Sequence, residues 1–247
     1  MIDTHAHILS EYYDDIDETV KLLKDKNVLY VLNAASNIKE AKEVIDLSKK
    51  YNNYLLAVIG IHPESIEEND KLDELEELIK NNKIYAIGEV GLDYYWVKDN
   101  KEKQKELFIK QIKLANKNNL PVVVHSRDAI QDTFDILKEY KTKGVLHSFS
   151  GSVEMAREFI KLGYKLGIGG VLTFKNSKLY EVIEKIDLDS IVLETDSPYL
   201  TPEPFRGKKN NPSNVYYVAK KIAEIKGISI EEVLEITTKN AIQLFDI

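Results

Sequence analysis

Short runs of Val, Ile, Leu and Ala recur along the chain, and between them lie longer charged stretches whose apolar positions return every three or four residues. The runs predict eight strands: Ile2 to His5, Val28 to Ala34, Leu55 to Gly60, Ile84 to Val90, Pro121 to His125, Gly144 to His147, Lys165 to Gly169 and Ile191 to Thr195. Most are apolar without alternation, the pattern of strands covered on both faces in a parallel sheet. The stretches between them predict the covering helices. Ile16, Val20 and Leu23 fall on one stripe, as do Phe108, Ile112 and Ala115, with Lys and Glu on the outer faces.

After the eighth run comes a loop with Pro198, Pro202, Pro204 and Pro212, then a helix with Val215, Val218, Ala219 and Ile222 on one stripe. A last helix starts at Ser229-Ile-Glu-Glu232, which reads as a capping box. Eight strands with helical crossovers in 247 residues have the size and rhythm of an α/β protein of the (β/α)8 TIM-barrel type. No linker, low-complexity tract or internal repeat divides the chain, so a single domain over 1–247 is expected. The rival architecture, an open doubly wound sheet, lacks its Gly-x-Gly-x-x-Gly support.

Composition narrows the chemistry. With no cysteine the chain forms no disulfide and offers no thiolate to a metal, and it fits a reduced cytoplasm. No basic leader precedes the first strand and no apolar run reaches a membrane span, so a soluble, unprocessed protein without a membrane partner is expected. A net charge of −7 argues against a protein that coats nucleic acid nonspecifically, while leaving room for a polyanion held locally by metal ions. Of the 34 basic residues only Arg127, Arg157 and Arg206 are arginine. Each is worth inspecting, because the planar guanidinium grips carboxylates and phosphates bidentately.

The polar residues then fall into place on the predicted frame. His5 and His7, spaced i and i+2, face the same side of the first strand. His62 follows strand three, Glu89 sits at the end of strand four, His125 and His147 end strands five and six, and Asp196 follows strand eight. All five histidines of the chain thus lie at C-terminal strand ends, the face on which barrel enzymes carry their chemistry. His5, His7, Glu89, His125, His147 and Asp196 form a nitrogen and carboxylate set suited to Zn²⁺, Mn²⁺ or Fe²⁺, with Mg²⁺ reachable through the carboxylates. Six ligands exceed the three of a mononuclear hydrolytic site and suit two ions bridged by a carboxylate such as Glu89, whose apolar or small neighbours make an unpaired charge there costly.

Several stretches together carry a family resemblance. They are Asp3-Thr4-His5-Ala6-His7, Gly60-Ile61-His62-Pro63, Gly88-Glu89-Val90-Gly91-Leu92-Asp93-Tyr94, and Pro121 to Ala129 with His125-Ser-Arg127-Asp128. Further along come His147-Ser-Phe149-Ser150-Gly151, Glu194-Thr-Asp196-Ser-Pro198-Tyr199-Leu200, Arg206-Gly207-Lys208-Lys209-Asn210-Asn-Pro212, and Asn240-Ala241 before Leu244-Phe245. In order and over the whole length, the chain resembles the TatD-type metal-dependent deoxyribonucleases, a branch of the amidohydrolase-like barrels.

That resemblance implies a distorted barrel with two divalent ions (Mg²⁺, Mn²⁺ or Zn²⁺), one among His5, His7, Glu89 and Asp196 and the other among Glu89, His125 and His147. A metal-activated water then attacks a phosphodiester of DNA, with Asp196 and Glu89 as the catalytic carboxylates and exonuclease action on single-stranded or 3′/5′ ends expected. His62, Arg127, Arg206, Tyr199 and Asn210 are the expected substrate contacts, and no obligate protein partner is evident. Arg157, in Met155-Ala156-Arg157-Glu158, reads as a solvated helix residue instead. The chain departs from its relatives at Ser148, where many carry Cys, at Ser197, where many carry Ala, and at Trp96, where Arg is frequent. The indole of Trp96 suits stacking on a base or packing on its own loop. Two other readings compete: a barrel hydrolase of a C–N or ester bond in a small metabolite, and a metal-dependent binding protein without turnover.

Overall fold

The structure, a computed structural model, describes residues 1–96 and 98–247. Eight strands lie in one parallel sheet in the chain order β1 to β8, each followed by helical structure, which is the (β/α)8 architecture expected from the alternation of apolar runs and striped helices. The chain condenses into two compact units, Ala34–His147 and Met1–Asn33 with Ser148–Ile247. No helix among the described residues is long and apolar enough to cross a membrane.

In the unit built from both chain ends, β1 (Ile2–Ala6) is buried at every position although three of its five residues are polar. It pairs in parallel with β2 (Tyr30–Ala34), Ile2 opposite Tyr30 and Asp3 opposite Val31. Helix α1 (Ile16–Asp25) starts where Asp15 accepts the backbone N–H of Glu18 at 2.8 Å, and it buries Val20 and Leu23. β2 begins two residues later than its apolar run. Val28 N–H donates to the Leu23 carbonyl and closes the end of α1, while Leu29 N–H donates to the Met1 carbonyl ahead of β1. Helix α6 (Val153–Lys161) leads to β7 (Lys165–Ile168), which pairs with β8 (Ile191–Leu193), and the chain beyond β8 returns beside β1 through an Ala6–Ser197 bridge. Helices α8 (Val215–Lys226) and α9 (Ile230–Phe245) complete the unit. All four residues of the Val215, Val218, Ala219 and Ile222 stripe are buried, and Ser229 caps α9 by accepting from Glu232 N at 3.1 Å.

The other unit holds α2 (Ile38–Lys50), β3 (Leu55–Ile59), α3 (Leu72–Asn81), β4 (Ala86–Asp93), α4 (Lys101–Lys117), β5 (Val122–Arg127), α5 (Ile130–Tyr140) and β6 (Gly144–Leu146). β3 and β4 are buried throughout, as continuous apolar runs require. β4 and β5 extend past Val90 and His125, pairing Gly91 with His125, Leu92 with Ser126 and Asp93 with Arg127. The close pairing depends on Gly91, at φ +144°, because a Cβ there would sit 2.0 Å from the His125 carbonyl oxygen. Glu89 and His125 therefore lie within their strands, somewhat before the ends the apolar runs suggested.

Candidate metal centre

Two groups of imidazoles and carboxylates form, one in each unit. In the first, His5 and His7 project from one side of β1 and its continuation, and their Nε2 atoms stand 3.2 Å apart. The Asp196 Oδ1 lies 3.8 Å from His5 Nε2 and 3.5 Å from His7 Nε2. Ring nitrogens that converge on each other beside a carboxylate present lone pairs to a common point, which is the arrangement a divalent cation requires.

Local chain geometry fixes this group. Asp196 adopts a left-handed φ of +57°, which Asp tolerates, and its N–H donates to the His5 carbonyl at 2.9 Å. His7 N donates to Ser197 O at 2.7 Å, and Thr4 Oγ1 donates to Leu193 O at 3.0 Å. Beneath them lies the buried carboxylate of Asp3, which accepts from His5 N at 3.2 Å, Thr195 N at 3.0 Å and Thr195 Oγ1 at 2.5 Å. Burial, reinforced by the Glu194 charge, pushes the Asp3 carboxyl well above the usual range, against the pull of those hydrogen bonds. Past His7, the amide of Asn33 accepts from Ile8 N at 2.6 Å and donates to Ile8 O at 2.9 Å, bracketing that residue as a neighbouring strand would.

In the second group the buried Glu89 carboxylate is ringed by imidazoles. Its Oε1 is 2.9 Å from His125 Nδ1, 3.7 Å from His62 Nε2 and 3.7 Å from His147 Nε2. His125 Nε2 meets Asp93 Oδ2 at 3.0 Å, so both ring nitrogens face carboxylates. Burial disfavours charge on His125, but the Asp93 and Glu89 hydrogen bonds outweigh it and raise the imidazole from 6.5 to about 9. A proton here occupies the place of a cation: a metal ion held by Glu89 would displace it and take the freed lone pair. Burial likewise acts on Asp93, yet the His125 bond and the backbone N–H groups of Trp96 and Tyr95 hold its carboxyl below the usual range.

His62 differs from its neighbours. Its Nδ1 accepts from Glu64 N at 3.2 Å, which assigns the ring proton to Nε2 and makes that atom a donor. The same amide bracket seen at Ile8 recurs twice. Gln111 spans Ile61, accepting its N–H at 2.8 Å and donating to its carbonyl at 2.9 Å. Gln104 spans Asp93 with 2.8 Å and 2.9 Å bonds.

Among the expected substrate contacts, Tyr199 is half exposed and its ring lies 6.2 Å from that of His7, at the rim of the first group. Arg206 lays its guanidinium over Phe174, 3.9 Å from the ring centroid, and donates to Thr201 O at 3.1 Å. Arg127 stacks on Tyr95 at 4.3 Å. The Nδ2 of Asn210 donates to Thr195 O and Tyr199 O, and its Oδ1 accepts from Asn211 N and Asn214 Nδ2. Its amide is thus bonded within the loop, and Asn210 braces the segment carrying Asp196. Arg157 is exposed on α6.

Sequence reasoning passed over Asp3, Asp93 and the three bracketing amides. Asp93 repeats Glu89 at i+4 on the same face of one strand, and Gln104 and Gln111 are polar residues on the apolar stripe of α4; both irregularities were readable signals.

The family profile of TatD related DNase matches residues 2–246. The chain is 43% identical to the metal-dependent hydrolase YabD of Bacillus subtilis (strain 168), covering 100% of this chain and 99% of that protein. It is 36% identical to the deoxyribonuclease TATDN3 of Homo sapiens, over 99% of this chain and 94% of that one. The crystal structure of the TatD homolog YJJV from Escherichia coli K12 superposes with a TM-score of 0.93 at 31% identity, covering 100% of this chain and 98% of the other.

Proposed function

The chain belongs to the TatD related DNase family of metal-dependent hydrolases, and from that membership we propose that it cleaves phosphodiester bonds of DNA, acting as an exonuclease on single-stranded ends. The observation that carries the reading is the pair of imidazole and carboxylate groups, His5, His7 and Asp196 in one and His62, Glu89 and His125 in the other, each with three ligand atoms drawn together. We assign one divalent ion to His5, His7 and Asp196 and a second to Glu89, His125 and His147, in accord with the family resemblance. The donor set is of nitrogen and carboxylate oxygen, so Zn²⁺ and Mn²⁺ suit it and Mg²⁺ is served by the carboxylates. Ions bound there supply Lewis acidity, activating water near neutral pH and taking up phosphoryl charge.

The chain's own residues do the rest. Asp196 accepts the proton of the water that attacks phosphorus in line. Asp3, through Thr195 and the His5 backbone, holds Asp196 and His5 in register. His62 Nε2–H, Arg127 and Arg206 donate to phosphate oxygens, and Tyr199 lines the approach. The cysteine-free chain suits a reducing cytoplasm.

The test is incubation of purified protein with end-labelled single-stranded DNA and Mg²⁺ or Mn²⁺, with and without chelator. Stepwise shortening that chelator abolishes is the expected result. Discrete internal fragments would replace the exonuclease reading with an endonuclease one, and no cleavage under any metal would overturn the proposal.

A further inference from the structure

Beside the Glu89 group stands a cluster that the metal chemistry does not use. Tyr95 and Trp96 lie two and three residues past the end of β4 and are 45% and 62% exposed, so most of an indole and nearly half of a phenol ring face water. They meet edge to face, centroids 4.7 Å apart. Arg127 lies over the Tyr95 ring at 4.3 Å and near the Trp96 ring at 5.4 Å. Among the described residues no carboxylate pairs with Arg127, and a guanidinium stacked on a ring keeps its N–H donors for a ligand in its own plane.

This cluster is fixed to the candidate centre. The Asp93 Oδ1 accepts from Tyr95 N at 2.9 Å and from Trp96 N at 2.8 Å, while its Oδ2 holds His125 Nε2. Arg127 is two residues past His125 on β5, on the same side of the strand, and is the register partner of Asp93. One carboxylate therefore sets the positions of both an aromatic shelf and a candidate metal ligand. Large exposed apolar rings held by polar anchors rather than by burial mark a binding surface.

We propose that Tyr95, Trp96 and Arg127 form a stacking shelf for an unpaired nucleobase of the substrate strand, with Arg127 taking the adjoining phosphate. The shelf rests on the nuclease reading and refines it: it selects strands whose bases are free to stack, and duplex DNA, whose bases are already stacked, gains nothing from it.

Trp96 is the only tryptophan of the chain, so its fluorescence reports the shelf directly. The metal-loaded protein is titrated with hydrolysis-resistant phosphorothioate oligothymidylate and with an abasic phosphorothioate strand of equal length, in wild type, Tyr95→Ala and Trp96→Ala. The base-bearing strand should quench Trp96 and the abasic strand should not. Either substitution should weaken the base-bearing strand ~5- to 150-fold and leave the abasic strand unchanged, with affinities of all three proteins read by calorimetric titration because Trp96→Ala has no tryptophan to report. Turnover of methyl p-nitrophenyl phosphate, a diester without a base, should be the same in all three proteins. Equal quenching by both strands, no quenching by either, or unaltered affinity in both variants would overturn the shelf. If base-selective quenching appears while no phosphodiester is cleaved, the shelf stands and the nuclease reading falls. If DNA is cleaved and both variants bind like wild type, the shelf alone falls.

Discussion

The two imidazole groups are held by different means. Around His5, His7 and Asp196 the supports are neighbours in sequence: Asp3, Thr4, Thr195 and Ser197 join the two chain segments through short bonds between residues one or two positions from the ligands. Around Glu89 and His125 the supports come from elsewhere. Gln104 and Gln111, on the buried face of α4, reach in to bracket Asp93 and Ile61, and Asp93 then holds His125. The first group is rigid wherever its two strand ends are paired. The second depends on a helix being docked at its proper height.

Glu89→Gln tests the second group most severely. The amide keeps the shape but removes the charge that faces three imidazoles, so turnover should fall by more than ~100-fold, beyond the loss typical of residues that merely orient a ligand. Thermal unfolding should change little. Near-normal turnover in Glu89→Gln alongside an inactive His5→Ala would mean that chemistry is run from the β1 group alone.

The contrast in supports is sharpened by Gln104→Leu against Asp3→Ala. Each strips the partners from two buried backbone groups, at a cost of about 2–4 kcal/mol in unfolding free energy. Gln104→Leu should weaken metal uptake only at the His125 group and Asp3→Ala only at the His5 group, as read by metal titration of each variant. Parallel losses at both groups in both variants would erase the distinction.

His5 and His7 were readable because a strand's period of two turns positions i and i+2 into a shared ligand pair, and Asp196 because a matching motif surrounds it. The barrel was readable because β3 and the buried stripe of α8 are apolar throughout. The supports of the second group were not, since nothing local in the α4 sequence tells which strand residue Gln104 will meet. Asn210 shows the converse. A polar residue in a rim loop suggested a substrate contact, and the bracing bonds that Asn210 also makes are a tertiary property that the loop sequence does not reveal. The late start of β2 has the same origin, in bonds from Val28 and Leu29 that an apolar run does not reveal.

Asp93→Asn should have a smaller effect. The amide oxygen still receives Tyr95 and Trp96 N–H, but the charge behind His125 is gone, so metal affinity at that group should drop ~10–100-fold with the His5 group unchanged. Loss of affinity at neither group would remove Asp93 from the account.

The gentlest probe is pH. In the metal-free protein His125 is raised from 6.5 to about 9, so the stability its proton contributes is full below about 6.5 and is lost as pH rises through about 9. Metal uptake at this group below pH ~9 must expel that proton, and affinity should climb with pH and level off above it. Calorimetric titration at pH 8 in buffers of different ionisation enthalpy should reveal proton release in wild type and less in His125→Ala. Equal release in both would contradict the assignment.

That each group takes its own divalent ion is tested most directly by counting. Metal-stripped protein titrated with Mn²⁺ or Zn²⁺ should bind two ions per chain, with His7→Ala and His125→Ala each retaining one. A reproducible stoichiometry of one in wild type, unchanged by His125→Ala, would contradict it.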